Sequence, residues 1–314
     1  SFHNRSRSMV RRLSIRRKSA KPQNHVDMRL GDGWHRRNFL SEVIIPSLFT
    51  RRHGRKAKPV FPELGSGKFC ITWIGHASFL IQTPEHSVLV DPNWAKWLKV
   101  IKRIKNPGIE LHDLPAIDLV LVTHAHFDHL DRRTLRAVAS DQPIAVPEHV
   151  GNLVHDLGFN RVHELRQWQS FEHGTLKVTL TPARHWGARV LHDSHRGFGG
   201  FLIEYAGRTI FHCGDTAYFD GFKEIGRRSN IDIALLPIGA YEAPTKRDVH
   251  MNPEQALQAF RELRAKMMIP MHFGTFRLSY EPLDEPPHRL LEKALELQLL
   301  DRIRLLNEGE PTVF

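Results

Sequence analysis

Thr123-His124-Ala125-His126-Phe127-Asp128-His129-Leu130-Asp131 places four strong metal-ligand candidates within six residues, directly after the apolar run Asp118–Thr123. His124 and His126 are two residues apart, so in an extended loop both project to one side and can share a metal. Asp128 and His129 fall past the bend, where the chain enters Arg132–Ala139, and can serve a second metal. Imidazole nitrogens with a few carboxylate oxygens suit zinc, with iron and manganese also compatible. A single histidine in such a loop is ordinarily structural. Three of them with an aspartate, at H-x-H-x-D-H spacing, read as a metal site.

One loop cannot close two coordination spheres, so further ligands are expected at other strand ends. His185 follows the apolar run Leu176–Thr181, Asp215 follows Thr209–Cys213, and His272 follows Met267–Pro270. Each stands at the carboxyl end of a predicted strand, where α/β architectures gather their sites. His76, in Gly75-His76-Ala77-Ser78, precedes a strand and reads as a structural or hydrogen-bonding support rather than a ligand.

The remaining pattern alternates short apolar runs with helical periodicity. Phe69–Ile74, Ser78–Gln82, Val88–Val90, Phe201–Tyr205 and Ile233–Leu236 read as strands. Asn252-Pro253-Glu254-Gln255 supplies an N-cap, a proline in the first turn and a glutamine at N3, ahead of a stripe of Ala256, Leu257, Phe260 and Leu263. Pro286–Leu299 repeats that design with Leu290, Leu291, Ala294 and Leu295. Mixed strands and helices predict a layered α/β (α+β) fold. The two cysteines, Cys70 and Cys213, lie in strand-like runs and read as buried thiols, too few for a disulfide scaffold. No window approaches the roughly 18 apolar residues of a membrane-spanning helix.

The 314 residues carry a net charge of +11, unevenly spread. Residues 1–60 hold 16 Lys/Arg against 3 Asp/Glu, leaving 29 basic against 31 acidic residues beyond them. The sequence therefore divides into a basic, partly amphipathic arm over 1–66 and a catalytic domain over 67–314, with Lys58–Gly67 as a Pro/Gly/Ser junction. Arg11–Lys21 and Arg51–Lys58 flank a short amphipathic segment, Phe39–Ile45, that Pro46 is expected to interrupt. Such a pattern suits an anionic membrane surface or nucleic acid, a solvated tail, or a strap whose apolar residues dock on the body or on a second subunit as a homodimer. It has no uninterrupted apolar h-region and does not read as a secretory signal, which favours a cytoplasmic protein, peripheral on the inner face of a membrane where the arm docks.

His124-x-His126-x-Asp128-His129, then His185, Asp215 and His272 in that order, resembles the metallo-β-lactamase superfamily. Ile71–Ala77, Gly214–Tyr218, Pro237–Glu242, His250–Glu254, His272–Phe276 and Glu285-Pro286-Pro287 are similar to its N-acyl-phosphatidylethanolamine-hydrolysing phospholipase D branch, over about residues 68–310. The chain departs from that pattern at Gly187-Ala188-Arg189, after His185-Trp186, and in the unmatched arm. The resemblance implies a four-layer αββα sandwich holding two zinc ions. His124, His126 and His185 would bind one, Asp128, His129 and His272 the other, with Asp215 bridging. It also implies hydrolysis of a phospholipid phosphodiester by hydroxide held between the metals, with Asp128 and Asp215 as the catalytic carboxylates that orient it and take its proton. His250, Tyr218 and Tyr241 are candidates for substrate contact.

The same dinuclear site also serves lactonases acting on sugar-phosphate or acyl-homoserine lactones. A nuclease or cyclic-nucleotide phosphodiesterase is disfavoured, as are nucleic-acid partners. The basicity lies outside the slightly acidic catalytic body, and no aromatics interleave with the basic clusters. Purely structural metals would need a closed site, whereas two ions sharing a carboxylate leave room for water.

Overall fold

Runs that are apolar at successive positions bury both faces of a strand, and such runs dominate the fold described by the computed structural model over residues 37–54, 58–190 and 192–314. β1 (Cys70–Gly75), β2 (Ser78–Gln82) and β3 (Ser87–Val90) form an antiparallel meander. A small ribbon of β4 (Trp97–Leu98) and β5 (Ile101–Lys102) follows. Parallel strands β6 (Leu119–Leu121), β7 (Pro143–Pro147) and β8 (Arg161–Leu165) then extend the first sheet outward from β3.

The second sheet begins as an antiparallel run of β9 (Ser170–His173), β10 (Leu176–Thr181), β11 (Gly200–Tyr205) and β12 (Arg208–His212). It continues in parallel through β13 (Ile233–Pro237) and β14 (Met267–Met271). The last strand, β15 (Thr312–Val313), closes the free edge of β1 in the first sheet.

Alternation along each strand sorts the core. Phe79, Ile81, Val88, Val90, Leu119 and Leu121 join one cluster with Val178, Leu180, Phe201 and Ile203 of the other sheet. The intervening Leu80, Leu89, Val120 and Ile144 join a second cluster with Leu135 of α2 (Arg132–Val138). α3 (Gly221–Arg228), α4 (Pro253–Glu262) and α5 (Glu285–Glu296) contribute Phe222, Ile225, Leu257, Phe260 and Leu290 to the first cluster, beside β13. The result is the αββα sandwich of the metallo-β-lactamase fold. Cys70 and Cys213 are buried free thiols.

Asn252 caps α4 as expected: its side chain accepts from Gln255 N, and the Gln255 side chain accepts from Asn252 N. α5 ends at Glu296 rather than Leu299, and Leu295 points outward at 65% exposure, so its apolar stripe is narrower than the periodicity implies. Pro46 does not stop its helix. A π-helical turn at Leu40–Ile44 runs into α1 (Ile45–Phe49), so Pro46 stands inside a continuous helical run, just past the changeover from the wider turn to the α-helix.

Asn38–Phe314 forms one compact unit, so packing begins well before the Pro/Gly/Ser junction. Val43 and Ile44 are buried, Lys102 Nζ donates to the carbonyls of Leu48 and Thr50, and Arg52 Nε donates to Arg103 O. The basic cluster Arg11–Lys21, with Arg55 and Lys56 of the second cluster, lies outside the described residues. Among the described residues no helix is long and apolar enough to cross a membrane.

Candidate metal centre

Seven side chains from four strand ends meet at one edge of the sandwich. The loop after β6 supplies His124, His126, Asp128 and His129; the segments after β10, β12 and β14 supply His185, Asp215 and His272. The backbone is bent hard to achieve this. His76, Asp91, Ala240 and His272 adopt left-handed φ values of 55°, 45°, 64° and 62°, a strain typical of functional sites. Gly214, before Asp215, has φ 63° and approaches Gly199 so closely that a Cβ would stand 2.7 Å from its carbonyl oxygen.

Two groups of donor atoms share one oxygen. In the first, His126 Nδ1 lies 3.0 Å from His124 Nε2 and 3.2 Å from His185 Nε2, while Asp215 Oδ2 is 3.8 and 3.9 Å from the latter two. In the second, Asp128 Oδ2 is 3.4 Å from His129 Nε2 and 3.3 Å from His272 Nε2; Asp215 Oδ2 is 3.2 and 3.1 Å from the same nitrogens. Donors around a four-coordinate zinc at 2.0–2.1 Å stand about 3.3 Å apart. The observed separations scatter around that value in both groups.

Hydrogen bonding inside the protein does not account for this convergence. His129 Nε2, His272 Nε2 and Asp215 Oδ1 are buried with no hydrogen-bond partner among the described residues, an arrangement that costs free energy unless something else satisfies them. A pair of divalent cations fits both the spacing and the orphaned atoms.

The outer nitrogens of three imidazoles are tied down, which aims their inner nitrogens at the centre. His185 Nδ1 donates to Val249 O at 3.0 Å. His129 Nδ1 donates to Asp91 Oδ2 at 2.7 Å. His124 Nδ1 donates to Thr123 Oγ1 at 3.0 Å, and that hydroxyl donates to Asp91 Oδ2 at 2.7 Å. The fully buried Asp91 therefore fixes two imidazoles through one carboxylate, itself held by Thr123 N. Asp91 is absent from the sequence reading, although it obeys the same rule: it stands at the carboxyl end of β3. His76 Nε2 donates to Asp128 Oδ2 at 2.8 Å, and a ring nitrogen of His76 lies within 4.8 Å of the donor atoms of Asp128, His129 and His272, so the structure places it with that group.

Electrostatics divides the imidazoles into two sets. Burial holds His124 and His185 well below the ordinary histidine range, so both remain neutral donors at pH 7. Burial also opposes charge on His129 and His272, but the Asp215 and Asp128 carboxylates outweigh it, raising His129 strongly and His272 to about 9. Conversely, burial alone would raise Asp128 and Asp215; the neighbouring imidazoles, His129 foremost, pull both well below the carboxylate range. A metal here competes with protons for the second group.

The residues expected at the substrate divide. His250 is at the cluster, with Nδ1 3.8 Å from Asp215 Oδ2 and its ring 5.3 Å from those of His185 and His272; burial lowers it to about 4. Tyr218 and Tyr241 are engaged elsewhere. Tyr218 Oη donates to Glu262 Oε1 on α4 at 2.7 Å, and Tyr241 Oη to Glu285 Oε1 on α5 at 2.5 Å. Both hydroxyls brace loops against the helical layer.

Residues 86–273 match the β-lactamase superfamily domain. The chain is 32% identical over 249 residues to N-acyl-phosphatidylethanolamine-hydrolyzing phospholipase D 1 of Caenorhabditis elegans, covering 72% of this chain and 70% of that protein. It is 30% identical to a UPF0173 metal-dependent hydrolase of Thermodesulfovibrio yellowstonii, covering 77% and 92% respectively. A metallo hydrolase from the archaeon Ignicoccus hospitalis superposes with a TM-score of 0.60 at 25% identity, over 79% of this chain and 98% of that one.

Proposed function

This chain belongs to the β-lactamase superfamily and is a metal-dependent hydrolase, and we propose that its reaction is phosphodiester hydrolysis of the phospholipase D type. The substrate class is an N-acyl-phosphatidylethanolamine-like phospholipid, and two zinc ions are the cofactor. The observation that carries this proposal is the shared Asp215 Oδ2, which stands within 3.1–3.9 Å of an imidazole nitrogen in each of two donor groups. The worm phospholipase D among its relatives supports the choice of bond.

His124, His126 and His185 would hold one ion and Asp128, His129 and His272 the other, with Asp215 within reach of both groups. Bound there, divalent ions supply Lewis acidity and an activated water. Asp215 and Asp128 would be the carboxylates that orient such a water and take up its proton. His250 Nδ1, buried and without a hydrogen-bond partner, faces Asp215 and is placed to bind a phosphoryl oxygen or the leaving alcohol. The site needs no serine or cysteine nucleophile, and both cysteines are buried with thiols raised by burial.

A bilayer-presented substrate suits the face around α1. Leu40, Ile45, Leu48 and Phe49 are exposed there, Phe49 at 84%, beside Arg51 and Arg52. In this proposal that face and the basic arm meet an anionic lipid surface.

The test is turnover by zinc-reconstituted protein of bis(p-nitrophenyl) phosphate, an N-acyl-phosphatidylethanolamine in micelles and a simple lactone. The phospholipid is expected to be preferred. Cleavage of the lactone alone would keep the metal centre and move the reaction to carboxylic ester hydrolysis.

A further inference from the structure

Beside the ligand loop lies a groove of about 620 Å³ whose lining includes Lys99, Trp186, Arg189, Val190, His192 and Arg247, with no acidic residue among the described lining residues. It adjoins the ligand loop on two sides. The Trp186 ring packs on the His126 ring at 4.8 Å. The Phe127 ring, between His126 and Asp128, carries Lys99 Nζ at 4.3 Å and the Arg189 guanidinium at 4.0 Å.

The positive charges of this groove have different tasks. Arg189 Nη1 donates to the carbonyls of Ala125 and Leu130 at 2.7 Å each, clamping both ends of the ligand loop. Lys99 and Arg247 do no such work. Arg247 lies over the outer face of Trp186 at 4.7 Å, and among the described residues neither it nor Lys99 has a carboxylate partner. The acidic residues nearby in sequence are spoken for: Asp193 pairs with Arg196 at 2.6 Å and Asp248 with Arg184 at 3.1 Å. Apolar surface is interleaved with these cations, Val190 being 53% and Trp186 38% exposed.

Cations without a carboxylate partner, beside an apolar wall and the aromatic rings Trp186 and Phe127 that adjoin metal ligands in sequence, match an anionic group carried on an apolar stem. We propose that this groove is an anion subsite and that Lys99 and Arg247 are its specificity-determining residues. Within the phospholipid class the site then favours members carrying an anionic group in addition to the scissile phosphodiester over N-acyl-phosphatidylethanolamine itself, which has none. Trp186 provides the platform on which the stem lies. The proposal rests on the phosphodiesterase reading only for which bond is cleaved; the subsite itself is a property of the groove.

It is tested by binding rather than turnover. Zinc-loaded protein is titrated calorimetrically with pairs of hydroxamates, which anchor on the metals, carrying at the far end of a graded methylene chain either a carboxylate or its methyl ester. The carboxylate member is expected to bind up to about tenfold tighter at its best chain length, the upper end of what two exposed cations acting together supply. Arg247→Gln and Lys99→Gln should each remove about threefold of that preference, and Arg247→Glu should invert it, with zinc content per chain unchanged. Equal affinities for both members of every pair, or a preference that survives both glutamine variants, overturns the proposal. So does a preference absent from the soluble pairs that appears only as salt-sensitive binding to phosphatidylserine vesicles, which makes the groove a surface-docking patch. Turnover of bis(p-nitrophenyl) phosphate by the same preparation reports separately on the phosphodiesterase reading.

Discussion

Asp91→Asn changes one atom type at a buried position and should weaken the second metal's binding by ten- to a hundredfold. The carboxylate accepts three hydrogen bonds at 2.7 Å: from Thr123 N, from Thr123 Oγ1 and from His129 Nδ1. An asparagine whose oxygen keeps Thr123 N turns its NH₂ toward the other two donors. The Thr123 hydroxyl can rotate to accept, but His129 must then present a bare Nδ1, which moves its proton to Nε2. That nitrogen is the one aimed at Asp128 and Asp215, and protonated it cannot ligate a metal. Losing a charge-assisted hydrogen bond costs about 1.5–3 kcal/mol, which corresponds to roughly ten- to a hundredfold in affinity. Asparagine tolerates the φ of 45° at this position, so backbone strain does not contribute. Competition with a chelator at pH 7.5 measures both zinc affinities, and circular dichroism verifies the fold. An Asp91→Asn protein that binds two zinc ions as tightly as the parent would refute this account of Asp91.

Asp215→Asn, which alters the oxygen common to both donor groups, should lower zinc content below two per chain by elemental analysis and cut turnover at least about hundredfold. In metal-stripped protein His272 is raised to about 9 by its carboxylate neighbours. A raised pKa stabilises the fold below the unfolded value near 6.5 and loses that contribution as pH climbs towards 9. Urea unfolding of the stripped protein should therefore give a midpoint that falls between pH 6.5 and 9, while zinc affinity rises over the same interval. Tyr218→Phe should cost about 1 kcal/mol of stability through the lost bond to Glu262 and leave kcat/KM within about twofold; a tenfold loss of kcat/KM would return Tyr218 to the substrate site.

A layered α/β fold and the gathering of ligand-type side chains at strand ends are readable from the residue pattern because both follow from one regularity, whereas the four-layer sandwich rests on the family resemblance. Apolar runs become strands covered on both faces, and ligand-type residues immediately after them collect at one edge. What escaped reading depends on contacts between distant segments. Asp91 has no spacing motif around it; only the fold carries the end of β3 to within hydrogen-bonding distance of Thr123 and His129, 32 and 38 residues away. Tyr218 and Tyr241 sit in segments rich in motif residues, yet their hydroxyls are taken by Glu262 and Glu285, 44 residues away in each case. Docking of the arm's apolar residues on the body is one of several readings its composition leaves open, and Val43 and Ile44 are buried within the unit that begins at Asn38. Leu295 shows the opposite error, an apolar residue at helical spacing that faces water.

The central claim, a dinuclear centre that cleaves a phospholipid at the phosphoryl–alcohol bond, is tested most directly by hydrolysis of N-acyl-phosphatidylethanolamine in ¹⁸O-enriched water, with product masses read from zinc-loaded protein. The predicted products are phosphatidic acid carrying one ¹⁸O atom and an unlabelled N-acylethanolamine. Release of labelled fatty acid, or label in the alcohol, would contradict it.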